Sequence, residues 1–283
     1  MKVIHTIANL QNEVSEWKQQ HKTIGFVPTM GALHQGHLSL VKRCLDETDI
    51  CIVSIFVNPT QFNDKKDYQV YPQKFKDDYD LLREVNCDII FAPSEQEMYP
   101  APDTRIFDFD PLDKVMEGKF RPGHFNGVAQ IVSKLFDATT PDKAYFGEKD
   151  FQQLAIIRMM VKQLNYPIEI IGCPIVREPN GLAMSSRNMR LATNQRQIAT
   201  KIAQSLTKSC TFVAEKTVEE TIHVVISEIN AEKPLQVEYF DIVDGNTLSS
   251  ISDWNESEYV IGCIAVFCEE VRLIDNITYK KLE

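Results

Sequence analysis

Two histidines, His34 and His37, flank Gly36 in the string Pro28-Thr29-Met30-Gly31-Ala32-Leu33-His34-Gln35-Gly36-His37. The string follows the apolar run Ile24-Gly25-Phe26-Val27 and precedes Leu38, Val41 and Leu45, which repeat at helical spacing. A turn from strand to helix places side chains at the positive end of the helix, where backbone N–H groups attract phosphate and a glycine allows close approach. Imidazoles there can donate hydrogen bonds to triphosphate oxygens as charge builds on a departing pyrophosphate. The bare H-x-G-H string also describes two ordinary loop histidines. Its place between a strand and a helix is what points to a nucleotide.

Three more polar clusters stand at comparable places. Phe56-Val57-Asn58-Pro59-Thr60-Gln61-Phe62 closes a second apolar run, and the neutral amides of Asn58 and Gln61 suit hydroxyls or a carboxylate; a capped Asn-Pro turn is the plainer alternative. In Phe146-Gly147-Glu148-Lys149-Asp150-Phe151-Gln152-Gln153, Lys149 offers phosphate a point charge and Asp150 suits a helix N-terminus. Gln153 follows one turn later; the alternative is a helix cap with solvated charges. Met184-Ser185-Ser186-Arg187-Asn188 combines two hydroxyls with a planar guanidinium fork, an anion-binding group unless it is only a polar linker. Arg121-Pro122-Gly123-His124-Phe125 reads as a defined loop without assigned chemistry. His5, His21 and His223 have no motif around them, and the run over residues 63–67 reads as a solvated loop rather than a metal site.

The elements that must position these clusters are short apolar strands alternating with amphipathic helices. Ile24–Val27, Cys51–Val57 and Asp88–Phe91 are apolar throughout, as in a parallel sheet buried on both faces. A helix over Gly127–Phe136, a strand near Ala144–Phe146, a helix over Phe151–Leu164 and a strand over Ile168–Ile171 continue an open α/β sheet, whose ligands bind beyond the carboxyl ends of the strands. After about Val176 the order changes to helices (Thr193–Cys210, Thr217–Asn230) and then strands (Val237–Val243, Tyr259–Phe267, Val271–Ile274), as in a small α+β domain with an antiparallel sheet.

At 283 residues the chain has room for about two domains and a sizeable core. Its formal charge of -10 disfavours a nucleic-acid binder, although an acidic whole can hold a small basic pocket. The seven cysteines form no C-x-x-C pair and sit mostly among apolar neighbours, which reads as reduced thiols in a cytoplasmic protein with no zinc site. No run has the ~18 apolar residues of a membrane span, and the N-terminus lacks a signal-peptide core.

Together PTMGALHQGH, FVNPTQF, RPGHFNGV, FGEKDFQQ and LAMSSRN, in this order between Pro28 and Asn188, closely resemble the pantothenate synthetase (pantoate–β-alanine ligase) family of H-x-G-H nucleotidyltransferases. Two departures stand out: the family's Tyr-Pro-Arg is Tyr71-Pro72-Gln73 here, and its Pro-Asp-Gly is Pro179-Asn180-Gly181. The resemblance implies a Rossmann-like open parallel sheet with helices on both faces over residues 1–175, binding ATP and pantoate. It also implies a smaller C-terminal lid domain over 176–283. The implied reaction turns pantoate and ATP into a pantoyl-adenylate and pyrophosphate, and β-alanine then displaces AMP.

Carried over by motif, Met30, Gly31, Ala32, Leu33, His34, Gln35, Gly36 and His37 cradle ATP, with His37 as proton donor. Gly147, Glu148, Lys149, Asp150, Val176, Met184, Ser185, Ser186 and Arg187 complete the ATP site. Of these, His34, Lys149, Ser185, Ser186 and Arg187 stabilise charge during phosphate transfer. Gln61, Gln153 and Asn58 are the expected contacts of pantoate and β-alanine. Magnesium is implied as the counter-ion of ATP, with Asp77 and Asp78 as candidate ligands, and no tightly bound organic cofactor is implied. A cytoplasmic homodimer without nucleic-acid or membrane partners is the family expectation. The rival readings are another H-x-G-H nucleotidylyltransferase, a class I aminoacyl-tRNA synthetase fragment, which the acidic balance disfavours, and a nucleotide-binding module without catalysis, which would not need both histidines and Lys149.

Overall fold

The computed structural model describes residues 1–63 and 68–281, so the expected solvated loop over 63–67 lies, apart from Asn63, outside the described residues. The chain divides into two compact units, the first comprising Met1–Glu148 and Gln153–Pro174, the second Lys149–Gln152 and the chain from Ile175 onward.

In the first unit, β1 (Lys2–Ile4), β2 (Ile24–Thr29), β3 (Ile50–Ile55), β4 (Ile89–Phe91), β5 (Lys143–Gly147) and β6 (Glu169–Cys173) form one sheet in the order β1-β4-β3-β2-β5-β6. Every pairing is parallel. Alternate residues along a strand point to opposite faces. Here Phe26, Ile52, Phe91 and Phe146 enter one core, while Val27, Val53, Ile90 and Tyr145 enter another. Both faces are therefore dry, and the strands are apolar without alternation, as the α/β reading requires.

Helices α1 (Ile7–Gln19), α4 (His124–Thr139) and α5 (Phe151–Gln163) feed the first core through residues such as Leu10, Val128 and Ile157. α2 (Gln35–Glu47) and α3 (Phe75–Glu84) feed the second through Val41, Cys44 and Leu82.

The second unit holds α6 (Thr193–Ile198), α7 (Thr200–Ser209) and α8 (Val218–Asn230), then β7 (Leu235–Asp244), β8 (Tyr259–Cys268) and β9 (Val271–Lys281) in an antiparallel sheet. Leu206, Val225, Ile229, Phe240 and Ile264 share its core.

Three details depart from expectation. β1 and α1 carry no strong sequence signal; β1 is three residues long and is held by its parallel register with Ile89–Phe91. The second apolar strand ends at Ile55 instead of Val57, before Pro59 starts a single 3-10 turn. β9 runs on past Ile274 through the polar pair Asp275-Asn276, which is buried because its side chains are hydrogen-bonded.

Candidate active site

The strand order reverses at β2, whose neighbours are β3 on one side and β5 on the other. The connections diverge at such a switch point and leave a crevice at the carboxyl ends of the strands, where open α/β sheets bind ligands. Two of the motifs lead out of it. β2 ends at Thr29, directly before Met30, and β5 ends at Gly147, directly before Glu148.

His34 is the N-cap of α2. Its Nδ1 accepts the Gly36 N–H at 3.1 Å, and its own N–H donates to His37 Nδ1 at 3.3 Å. The two rings lie 4.0 Å apart between centroids. A neutral imidazole that accepts at Nδ1 carries its proton on Nε2, so the reciprocal cap leaves both rings as Nε2–H donors. The Gly36 N–H, expected to be open to phosphate, is thus engaged by the His34 side chain.

The turn between β2 and α2 passes through Gly31 at φ +78° and Ala32 at φ +50°. Thr29 Oγ1 accepts the Gly31 N–H at 3.1 Å and donates to the Ser54 carbonyl at 2.6 Å. From α3, Asp78 accepts the N–H groups of Ala32 at 2.9 Å and Leu33 at 2.6 Å. Asp78 is 1 % exposed. Burial pushes its carboxyl above the usual carboxylate range, against the pull of those two N–H groups. The expectation of Asp78 as a magnesium ligand is corrected accordingly: each of its oxygens is engaged by the loop backbone. Among the described residues, no group of three or more His, Cys, Asp or Glu side chains could hold a metal ion.

Asn58 and Gln61 lie where β3 gives way to the 3-10 turn. Asn58 is 1 % exposed; its Nδ2 donates to Gln61 Oε1 (3.2 Å) and the Gly127 carbonyl (3.1 Å). Its Oδ1 accepts from Tyr99 Oη (2.7 Å) and Thr60 Oγ1 (3.2 Å). Both ends of the Asn58 amide are committed, and one of its bonds aims Gln61. Gln61 is half-buried, and its Nε2 reaches Met30 Sδ at 3.0 Å. The Gln61 carbonyl lies 2.8 Å from His124 Nδ1, which therefore bears the proton, and it also accepts from Arg121 Nη2 at 3.5 Å. The Arg121–His124 loop thus has a role: it anchors the turn that carries Gln61. Tyr99 has no motif of its own, and nothing in the sequence singled it out.

Beside Met30 and Asp78 opens a cavity of about 360 Å³, lined also by Phe56, Val57, Gln73 and Lys74. Gln73 stands where the family resemblance leads one to expect an arginine, and Lys74 lines the same wall beside it. Gln153 is half-buried on α5.

In the second unit, the Lys149 carbonyl accepts from Asn276 Nδ2 at 3.0 Å, and Asp150 is exposed. The N–H of Met184 donates to the Val176 carbonyl at 3.0 Å, bringing two expected ATP residues together. Ser185 caps the 3-10 turn Ser186–Arg190 by accepting the Arg187 N–H at 3.2 Å. Asn188 ties that turn to Glu178 Oε1 at 2.9 Å and to the Ala183 carbonyl at 3.0 Å, and Arg196 grips the same Glu178. Asn180, in place of the family's aspartate, accepts the Leu182 N–H at 3.1 Å, so its amide oxygen does the work of a carboxylate in that turn.

Residues 2–278 match the family described as Pantoate-beta-alanine ligase. A pantothenate synthetase of Bacteroides fragilis is 61 % identical over 281 residues, covering 99 % of this chain and all of that protein. The crystal structure of pantothenate synthetase from Thermus thermophilus superposes with a TM-score of 0.93 at 40 % identity, over 99 % of this chain and 100 % of that one. Pantoate-beta-alanine ligase from Francisella tularensis, complexed with beta-gamma ATP and beta-alanine, gives a TM-score of 0.82 at 36 % identity, with 99 % and 98 % covered. The H-x-G-H turn, the Asn58–Gln61 turn and the full-length match agree: the chain belongs to the pantoate-beta-alanine ligase family.

Proposed function

We propose that this chain joins pantoate to β-alanine at the expense of ATP, releasing AMP and pyrophosphate through a pantoyl-adenylate. The observation that carries the proposal is the reciprocal cap of His34 and His37, which holds both imidazoles together on the turn that leaves the switch point of the sheet. A carboxylate is a poor electrophile. Attack of the pantoate carboxylate on the α-phosphorus forms a new P–O bond, breaks the bond to the β-phosphate and makes AMP the later leaving group. The amine of β-alanine then attacks the acyl carbon, loses a proton and expels AMP.

His34 and His37 donate to the phosphate oxygens as charge moves onto pyrophosphate, with His37 Nε2 as the proton donor. Lys149, Ser185, Ser186 and Arg187 stabilise negative charge on the phosphates, with Lys149 as a point charge and Arg187 as a planar fork. Met30 to Gln35, Gly36, Gly147, Glu148, Asp150, Val176 and Met184 shape the ATP site. Gln61 and Gln153 direct amide hydrogen bonds to pantoate. The cavity beside Met30 has room for a small organic acid. Magnesium enters with ATP as part of the substrate. The working form is a cytoplasmic homodimer, as the family resemblance implies; the seven cysteines are free and six of them are buried, which fits a reducing compartment.

The test is to identify the products from pantoate, β-alanine and ATP. AMP, pyrophosphate and pantothenate should form in equal amounts. ADP and inorganic phosphate in their place would contradict an adenylate.

A further inference from the structure

We propose that Asp78 is a positioning residue for the adenylation step: its buried carboxylate holds the turn between Met30 and His34 in the shape that presents the two imidazoles. The inference rests on the adenylating reading above.

The turn has a shape that the backbone disfavours. Gly31 and Ala32 both take positive φ, and Ala32 does so despite its Cβ. Ala32 and Leu33 are buried, so their N–H groups need acceptors. Asp78 supplies one oxygen to each, at 2.9 and 2.6 Å. These bonds fix the Gly31–Ala32 and Ala32–Leu33 peptide units, and the next N–H, that of His34, goes to His37 Nδ1. On the other side of the turn stands Met30, whose sulfur contacts the Gln61 amide. One carboxylate therefore braces the loop between Met30 and His34.

A carboxylate is needed for this task. It presents two acceptor oxygens, whereas an asparagine would turn an NH2 donor toward one of the two N–H groups. No arginine or lysine hydrogen-bonds to Asp78 among the described residues; its charge rests on the loop's peptide dipoles and on the first turn of α3. The fit from the loop side is equally close, since a Cβ on Gly31 would stand 2.9 Å from Asp78 Oδ2.

The proposal separates the two half-reactions. In rapid-quench experiments with pantoate and ATP, D78N and D78A should slow the pyrophosphate burst by about 100-fold, the order of loss from misplacing a reacting group by about 1 Å. Conversion of ready-made pantoyl-adenylate by β-alanine, which needs no pyrophosphate contacts, should change less than about threefold. Raising magnesium should not restore the burst. If either variant fails to fold, G31A breaks the same contact from the loop side and should show the same split. An unchanged burst in the folded variants, an equal loss in both half-reactions, or recovery at high magnesium would each overturn the proposal; the last would make Asp78 a metal ligand. Absence of any burst in the unmodified enzyme would instead refute the adenylating reading itself.

Discussion

At the scale of single residues, the chemistry depends on which groups remain available once the fold has used the others. His34 and His37 each give Nδ1 to the cap, which puts the ring proton on Nε2, the atom that the proposed mechanism uses. Losing one well-placed donor costs about 2.7–4 kcal/mol of transition-state stabilisation, so H37A and K149A should each slow adenylation by about 100-fold or more. Stopped-flow detection of pyrophosphate checks this, provided circular dichroism shows intact folding. Gln61 is the opposite case, a neutral amide aimed by Asn58. Gln61→Ala should raise the KM for pantoate by roughly 10-fold while ATP affinity, measured by titration, stays within about threefold. Equal losses for both ligands would place Gln61 on the nucleotide. The histidines and Gln61 are legible in the sequence because each belongs to a compact local string. Asp78 and Tyr99 are not, because they act across more than 40 positions of chain on Ala32, Leu33 and Asn58.

At the scale of elements, the site is built by close approach. Gly127 in α4 lets that helix lie directly on the 3-10 turn: a Cβ there would fall 2.4 Å from the Thr60 carbonyl oxygen and 2.9 Å from the Gln61 nitrogen. Gly127→Ala must therefore push the turn away, loosening the bonds from Asn58 to the Gly127 carbonyl and from His124 to the Gln61 carbonyl. The expected result is a rise in pantoate KM that exceeds any change for ATP, measured in steady state with each substrate varied in turn. The strands themselves are readable in the sequence because burial on both faces makes them continuously apolar. Their ends are less so. β1 is legible only through its partner β4, and β9 hides behind Asp275-Asn276, whose polarity is offset by Arg177 and by the Lys149 carbonyl.

At the scale of the molecule, stability and turnover can be tested separately. Asp103 takes a bidentate hydrogen bond from Arg105 (2.9 and 2.6 Å), and Lys134 stands 3.5 Å away. The Arg105 guanidinium holds the Asp103 carboxyl down at about 2. A carboxyl depressed in the folded state adds stability above its unfolded value near 4, and that contribution is lost as pH falls toward 2. Because the Arg105 head is partly in water, the contribution is about 1–2 kcal/mol. Urea unfolding should show D103N weaker by that amount at pH 7, with the gap closing between about pH 4 and pH 2; a constant gap would mean that the loss is one of packing. Turnover rests on the central claim that an activated pantoate forms and waits in the enzyme for its amine. The direct measurement mixes enzyme with pantoate and ATP, without β-alanine, and follows pyrophosphate and AMP separately. The account requires a pyrophosphate burst of about one equivalent per site, with AMP appearing only when β-alanine is added. Pyrophosphate that appears only together with AMP and only after the amine is added would contradict it.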